Sequence, residues 1–167
     1  IGVGAFYSCT LLSEIAIPEG VRTIEKELFG WCKYLKKVEI PNGVTVVEER
    51  AFEGCANLET LSHPGSVVSI GNQALSYCSG LRSVTLPDSI TEMGESLFEN
   101  CSSLSSVTLS TSLKSIKDNT FKGCLALSSV AIPVGAEEIG QSAFETCIGL
   151  KTLSLPEGLI SIGDSAF

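Results

Sequence analysis

The sequence has little of what catalytic sites and nucleic-acid-binding surfaces are usually built from. Its 167 residues include one histidine (His63), one methionine and one tryptophan, and 11 basic residues stand against 19 acidic ones. The formal net charge of −8 argues against phosphate backbones and anionic lipid surfaces as partners, because like charges repel. We therefore expect no nucleic-acid binding.

Long apolar runs and site-bearing insertions are also missing. Although 44% of the residues are hydrophobic, no apolar stretch reaches the length of about 18 residues that a spanning helix requires. There is no glycine-rich phosphate loop and no inserted loop that could carry paired carboxylates. His63 is interpreted as a partly exposed substitution at a strand end. We predict a segment that does not insert into membranes, has no cofactor and is not an enzyme.

Cysteine is confined to one periodic column. Seven cysteines stand 23 residues apart, and none falls elsewhere. A fixed period along the whole chain is the signature of a solenoid. One thiol per turn cannot supply four converging zinc ligands, so we predict no metal site and interpret the thiols as small core side chains. Disulfides between neighbouring turns are the alternative, and they would leave one cysteine unpaired. The column comprises Cys9, Cys32, Cys55, Cys78, Cys101, Cys124 and Cys147.

The repeat unit can be written I-x-x-x-A-F-x-x-C-x-x-L-x-x-V-x-I-P-x-x-V-x-x. Seven full 23-residue repeats begin at residues 1, 24, 47, 70, 93, 116 and 139, and a partial repeat covers 162–167. We predict a single domain over 1–167. Both ends cut through the repeat at apolar residues without polar capping units, so the chain is interpreted as a fragment that lacks its caps.

Each part of the unit predicts its own local structure. The alternation in L-x-x-V-x-I predicts a strand that ends at the proline, and stacked strands form a parallel sheet. The segment I-x-x-x-A-F-x-x-C has near-helical spacing and predicts a short helix or 3₁₀ turn on the opposite side. A wider helical side would curve the stack. The predicted fold is an α/β solenoid, a curved right-handed superhelix with a concave parallel β-sheet and short helix or 3₁₀ turns on the convex face.

These columns together resemble the BspA-like leucine-rich repeat, whose consensus reads close to A-F-x-x-C-x-x-L-x-x-I-x-I-P-x-x-V-x-x-I. The period and the cysteine, leucine, proline and Ala-Phe columns agree along the full chain. The resemblance implies a curved leucine-rich-repeat solenoid of the kind found in surface and secreted proteins of bacteria and parasitic protists. It also implies a cell-surface or extracellular location and an adhesive role.

Two groups of residues are candidates for contact with a partner. The positions that flank the valine column should face outward, and from the third turn onward they carry Ser and Thr except at Ala131. Solenoids bind through concave faces, although Ser and Thr also stabilise strand ladders by themselves. Aromatic and basic residues in the second turn form a second group, typical of interface hot spots. The candidates are Trp31, Tyr34, Lys37, Glu39, Thr60, Ser62, Ser83, Thr85, Ser106 and Thr108.

The functional hypothesis is a non-catalytic recognition or adhesion module that binds a protein or glycan through the concave sheet. Two alternatives stay open. A structural spacer fits the identical turn lengths, and an intracellular scaffold fits seven unpaired thiols in a reducing compartment.

Overall fold

The computed structural model describes residues 1–62 and 65–167, so His63 and its predicted strand-end placement lie outside the described residues. The described chain is a parallel β-solenoid. Each repeat contributes a three-residue strand followed by a two-residue strand. In chain order the strands are β1 (Glu14–Ala16), β2 (Thr23–Ile24), β3 (Lys37–Glu39), β4 (Val46–Val47), β5 (Thr60–Ser62), β6 (Ser69–Ile70), β7 (Ser83–Thr85), β8 (Glu92–Met93), β9 (Ser106–Thr108), β10 (Ser115–Ile116), β11 (Ser129–Ala131), β12 (Glu138–Ile139), β13 (Thr152–Ser154) and β14 (Ser161–Ile162).

Strands of the same kind pair with their counterparts one repeat away. The three-residue strands pair in the orders β1-β3-β5, β7-β9 and β11-β13, and the two-residue strands in the orders β2-β4-β6-β8 and β10-β12-β14. All recorded pairs are parallel, and their register joins residues 23 positions apart, as in Ile15 with Val38 and Val84 with Val107. The three-residue strands lie where the L-x-x-V-x-I alternation predicts them, whereas the two-residue strands were not predicted.

The predicted helix or 3₁₀ turns are wrong: residues 1–62 and 65–167 contain no helix. The segment I-x-x-x-A-F-x-x-C instead forms a series of turns. A wider helical side therefore cannot be the cause of any curvature in the stack. Two backbone positions in every repeat explain this result. The fourth and eighth residues of the unit all have φ between 52° and 74°, the left-handed region that interrupts a right-handed helix.

The hydrogen bonds of this turn segment give the second reason for the missing helix. An α-helix directs each N–H to the carbonyl four residues earlier in the same segment. Here the N–H groups of Glu27 and Phe29 donate to the carbonyl oxygens of Glu49 and Ala51 in the next turn, at 3.0 and 2.8 Å. Every second backbone donor thus bonds to the next turn, as in a sheet, and the donors between them bond within the turn to the carbonyl three residues earlier.

The core is a stack of identical apolar columns. Phe29 and Phe52 lie with ring centroids 5.4 Å apart and an interplanar angle of 15°, and Phe121 and Phe144 with centroids 5.1 Å apart at 18°. Stacked aromatic pairs stabilise by about 0.5–1.5 kcal/mol beyond their area burial. Leu75 replaces phenylalanine in this column and is 1% exposed, so the column stays closed to solvent where the aromatic stack is interrupted.

Candidate functional site

The outward side chains of the seven three-residue strands form one surface, called here the strand face. In each strand the two flanking residues are exposed and the central residue points toward the core. Strand alternation therefore presents two columns of side chains to solvent, one on each side of the buried central column. The strand face comprises Glu14, Ala16, Lys37, Glu39, Thr60, Ser62, Ser83, Thr85, Ser106, Thr108, Ser129, Ala131, Thr152 and Ser154.

Two cavities open on the strand face and share Ser62. The larger has a volume of about 810 Å³ and is lined by Glu14, Ile15, Ala16, Ile17, Glu19, Lys37, Glu39, Ile40, Pro41, Asn42 and Ser62. The smaller, of about 370 Å³, is lined by Thr60, Leu61, Ser62, Ser83, Val84, Thr85 and Pro87. Concave surfaces with a few polar groups are typical ligand sites, and six of the ten candidate residues line these two open cavities.

The charged end of the strand face is organised around Lys37. Its ammonium group donates to Oε1 of Glu39 at 2.5 Å, and both side chains are well exposed. This hydrogen bond, with a smaller contribution from Glu14, raises the pKa of Lys37, and the same bond lowers the pKa of Glu39. Lys37 is therefore already paired, and a partner that uses its charge must compete with Glu39.

Trp31 and Tyr34 lie away from the strand face, in the turns around the cysteine. Trp31 is only partly exposed: its ring covers Gly54 of the next turn and lies with its centroid 6.1 Å from that of Tyr77, two turns away. Tyr34 is 54% exposed. The structure thus does not bring Trp31 and Tyr34 onto one surface with the Ser and Thr candidates.

The glycine beneath Trp31 is required at that position. Gly54 has φ +69°, and a Cβ there would lie 2.6 Å from Cδ2 and Cε3 of the indole ring. Lys33 completes the cluster, with its ammonium nitrogen 6.0 Å from the ring centroid of Trp31. Trp31, one of the two aromatic candidates for partner contact, is therefore partly used for packing within the solenoid.

The cysteine column forms a ladder of hydrogen bonds that sequence reasoning missed. Each buried thiol donates to the backbone carbonyl oxygen of the residue 26 positions earlier, in the aromatic column of the preceding turn. The thiols of Cys55, Cys78 and Cys101 do so at 3.1, 3.2 and 3.1 Å. All seven cysteines are free, and all but Cys9 are buried. The column is thus structural, and none of its buried members is positioned as a nucleophile.

Burial keeps these thiols protonated. Desolvation raises the pKa of Cys32 and Cys147 to about 11 and that of Cys101 to about 12, and it shifts the pKa of Cys55, Cys78 and Cys124 upward as well. A thiolate is the reactive and metal-binding form of cysteine. Within the described ranges no three His, Cys, Asp or Glu residues are arranged to hold a metal ion, and no helix is long and apolar enough to cross a membrane.

The parallel strands, the 23-residue register and the leucine and cysteine columns define a leucine-rich-repeat solenoid, a class of repeat scaffolds without catalytic machinery of its own. The chain matches the BspA type leucine rich repeat region in six copies over residues 1–128 and 114–167, and it belongs to this family. No match was found among curated proteins.

Solved structures of bacterial leucine-rich-repeat proteins share the fold of this chain. A leucine-rich repeat protein from Bacteroides ovatus is 33% identical with a TM-score of 0.95, over 98% of this chain and 43% of that one. The Leucine Rich Repeat protein of T. pallidum is 32% identical with a TM-score of 0.85, over 90% of this chain and 71% of that one. A leucine rich cell surface protein from Faecalibacterium prausnitzii shares the fold at 24% identity and a TM-score of 0.57, over 96% of this chain and 62% of that one. The chain thus spans less than half the length of the Bacteroides protein.

Proposed function

We propose that this chain is a non-catalytic recognition module that binds a protein or glycan partner along the strand face. The observation that carries the proposal is the strand face itself: fourteen outward side chains in seven adjacent strands are exposed, and those of the third to seventh turns carry no charge. An exposed, regular and uncharged sheet surface can pack against a partner without a desolvation penalty for buried charges.

The two cavities favour the strand face as the binding surface over the turn residues Trp31 and Tyr34. The two cavities are lined by the hydroxyl-bearing side chains of Thr60, Ser62, Ser83 and Thr85, which can hydrogen-bond to a partner. Ser106 and Thr108 continue the same two columns. Trp31 is held against Gly54, so it offers less free surface, and a partner that touches both Trp31 and the strand face must wrap around the edge of the solenoid.

We place the module in a cell-surface or secreted protein with an adhesive role. The family is represented among bacterial proteins, and the Faecalibacterium relative is described as a leucine rich cell surface protein. Burial of six thiols fits an oxidising environment, because buried thiols with raised pKa values resist oxidation.

The test is a binding screen on arrays of glycans and extracellular matrix proteins with three versions of the chain. The first is the parent, and the second carries Thr60→Glu, Ser83→Glu and Ser106→Glu on the strand face. The third is a matched control with Thr91→Glu, Ser103→Glu and Thr146→Glu, which adds the same charge at exposed positions off the strand face.

We expect binding to be lost in the strand-face variant and retained in the control. If the strand-face variant binds as well as the parent while a Trp31→Ala, Lys37→Ala variant fails, the aromatic and basic residues of the second turn are the site. If no version binds anything, the chain acts as a spacer.

A further inference from the structure

We infer that the larger cavity on the strand face binds a basic, extended segment of a partner protein, with Lys or Arg side chains beside Glu14 and Glu19. The inference rests on the proposed function, because it specifies the chemistry of the partner for the same surface. Its starting point is the contrast along the strand face: the first two turns carry charge, and the remaining five do not.

The charge of the cavity selects a cationic partner. Its lining contains three carboxylates, those of Glu14, Glu19 and Glu39, and one ammonium group, that of Lys37, which gives a net charge of −2. The Lys37–Glu39 hydrogen bond neutralises one carboxylate internally. Among the residues that the structure describes, Glu14 and Glu19 form no ion pair. Arg22, outside the lining, donates to the backbone carbonyl oxygen of Glu19 at 3.2 Å.

The apolar part of the cavity matches the stems of the same side chains. The lining also includes Ala16, which is exposed, and Ile15, which is half-buried. Lys and Arg place an aliphatic stem on apolar surface while the charged head reaches a polar group. A bare divalent cation would use only the carboxylates and leave this surface open, whereas a basic peptide covers both.

The second cavity gives the bound segment a direction. It meets the first at Ser62 and continues over Ser83 and Thr85 without a charged side chain. A segment that extends from the first cavity along the strand face therefore passes from an acidic to a neutral, hydroxyl-lined surface. We expect its basic residues over the first two turns and its uncharged polar residues over the third and fourth.

The experiment selects peptides from a random displayed library on the immobilised chain. We expect enriched peptides in which Lys and Arg outnumber Asp and Glu and cluster toward one end. Glu14→Gln combined with Glu19→Gln should weaken individual enriched peptides roughly tenfold at low ionic strength, since two exposed charge pairs are removed, and the difference should shrink as salt is added. Both glutamates are exposed, so the substitution leaves the fold intact.

The matched control is Glu137→Gln combined with Glu138→Gln, which removes the same charge at exposed positions outside both cavities. An equal loss of affinity in this control would overturn the local site and indicate a general effect of net charge. Enriched peptides that are neutral or acidic, or no enrichment at all, would also overturn the inference. If the enriched peptides are neutral and the Ser83→Glu variant no longer binds them, the inference fails but the proposed function stands. The array screen tests that function separately.

Discussion

The thiol of Cys55 donates a hydrogen bond to the backbone carbonyl oxygen of Phe29, 26 positions earlier, at 3.1 Å. The same carbonyl accepts the N–H of Cys32 at 3.1 Å. One oxygen of the aromatic column thus receives a bond within its turn and another from the next turn. This arrangement explains why cysteine recurs with the period of the chain: a small side chain with a donor is needed inside the core at each turn.

The first prediction concerns the reactivity of the thiols. In the native 167-residue chain only Cys9 is exposed, so one thiol should react quickly with an aromatic disulfide reagent, and all seven should react after denaturation. The physical reason is that burial both blocks access and suppresses the thiolate. Mass spectrometry of the labelled native protein should locate the label on Cys9. Rapid labelling of several cysteines, or fewer than seven thiols in the denatured chain, would contradict the buried, reduced column.

The second prediction concerns alkaline pH. Burial raises the pKa of Cys32 and Cys147 from 9.0 to about 11 and that of Cys101 to about 12, so the folded chain holds these protons more tightly than the unfolded chain. Above pH 9 the unfolded state binds fewer protons, and the free energy of unfolding must fall as the pH rises toward the folded pKa values. Each such thiol contributes about 1.4 kcal/mol per pH unit in this window. Below pH 9 the thiols are protonated in both states, and their contribution is constant.

The measurement is the denaturant midpoint between pH 8 and 11 in a reducing buffer, with Cys78→Ala as the comparison. Burial also raises the pKa of Cys78, so removing its thiol should lower the slope of stability against pH by one proton. Tyrosine and lysine ionise in both proteins alike and cancel in this comparison. Identical slopes in parent and variant would show that the thiol does not titrate on unfolding.

The sequence predicts the inside and the outside of the solenoid better than the path of its backbone. The leucine, phenylalanine and cysteine columns identify the core because burial constrains the residue type in every turn. The apolar spacing of the segment I-x-x-x-A-F-x-x-C predicts a short helix or 3₁₀ turn, and the structure contains neither over residues 1–62 and 65–167. The left-handed positions of this segment hold glycine only at Gly4, Gly54 and Gly123, and elsewhere residues such as Arg50 and Tyr77 take φ values of 56° and 59°.

No residue type therefore marks these left-handed positions, and the bonds between turns that impose them are not local. For the candidate site, too, the sequence predicts which residues are exposed but not the shape of the surface. The exposure of the Ser and Thr columns could be predicted from strand alternation, but the cavities could not, because they depend on the distances between neighbouring turns. The packing of Trp31 on Gly54 had one signal in the sequence, a glycine 23 residues after the tryptophan.

The third prediction tests the inside and outside assignment of the strand segment. Leu81 is completely buried, so Leu81→Ala should lower the free energy of unfolding by about 2–5 kcal/mol through lost burial and a residual cavity. Ser83, two residues later, is exposed on β7, and Ser83→Ala should change stability by less than about 0.5 kcal/mol. Urea denaturation of both variants measures the difference. A larger effect at Ser83 than at Leu81 would reverse the assignment.

The fourth prediction concerns the contact between Trp31 and Gly54. An alanine at position 54 would be destabilising for two reasons: its backbone would be held at φ +69°, and its Cβ would lie 2.6 Å from the indole ring. We expect Gly54→Ala to cost about 2–4 kcal/mol, of which about 1–2 kcal/mol is the cost of the left-handed backbone and the rest is overpacking. Gly20→Ala is the control, because a Cβ at Gly20 meets nothing within 4 Å.

Combining the substitution with Trp31→Ala separates the two causes. Removing the ring relieves the clash but not the backbone strain, so Gly54→Ala should cost less in the Trp31→Ala background than in the parent, by at least about 0.5 kcal/mol. Denaturant unfolding of the four proteins closes this double-mutant cycle. Strictly additive effects would mean that the indole ring does not pack on Gly54 in solution. Trp31 would then be free to contact a partner, and the aromatic and basic residues of the second turn would become the stronger candidate binding surface.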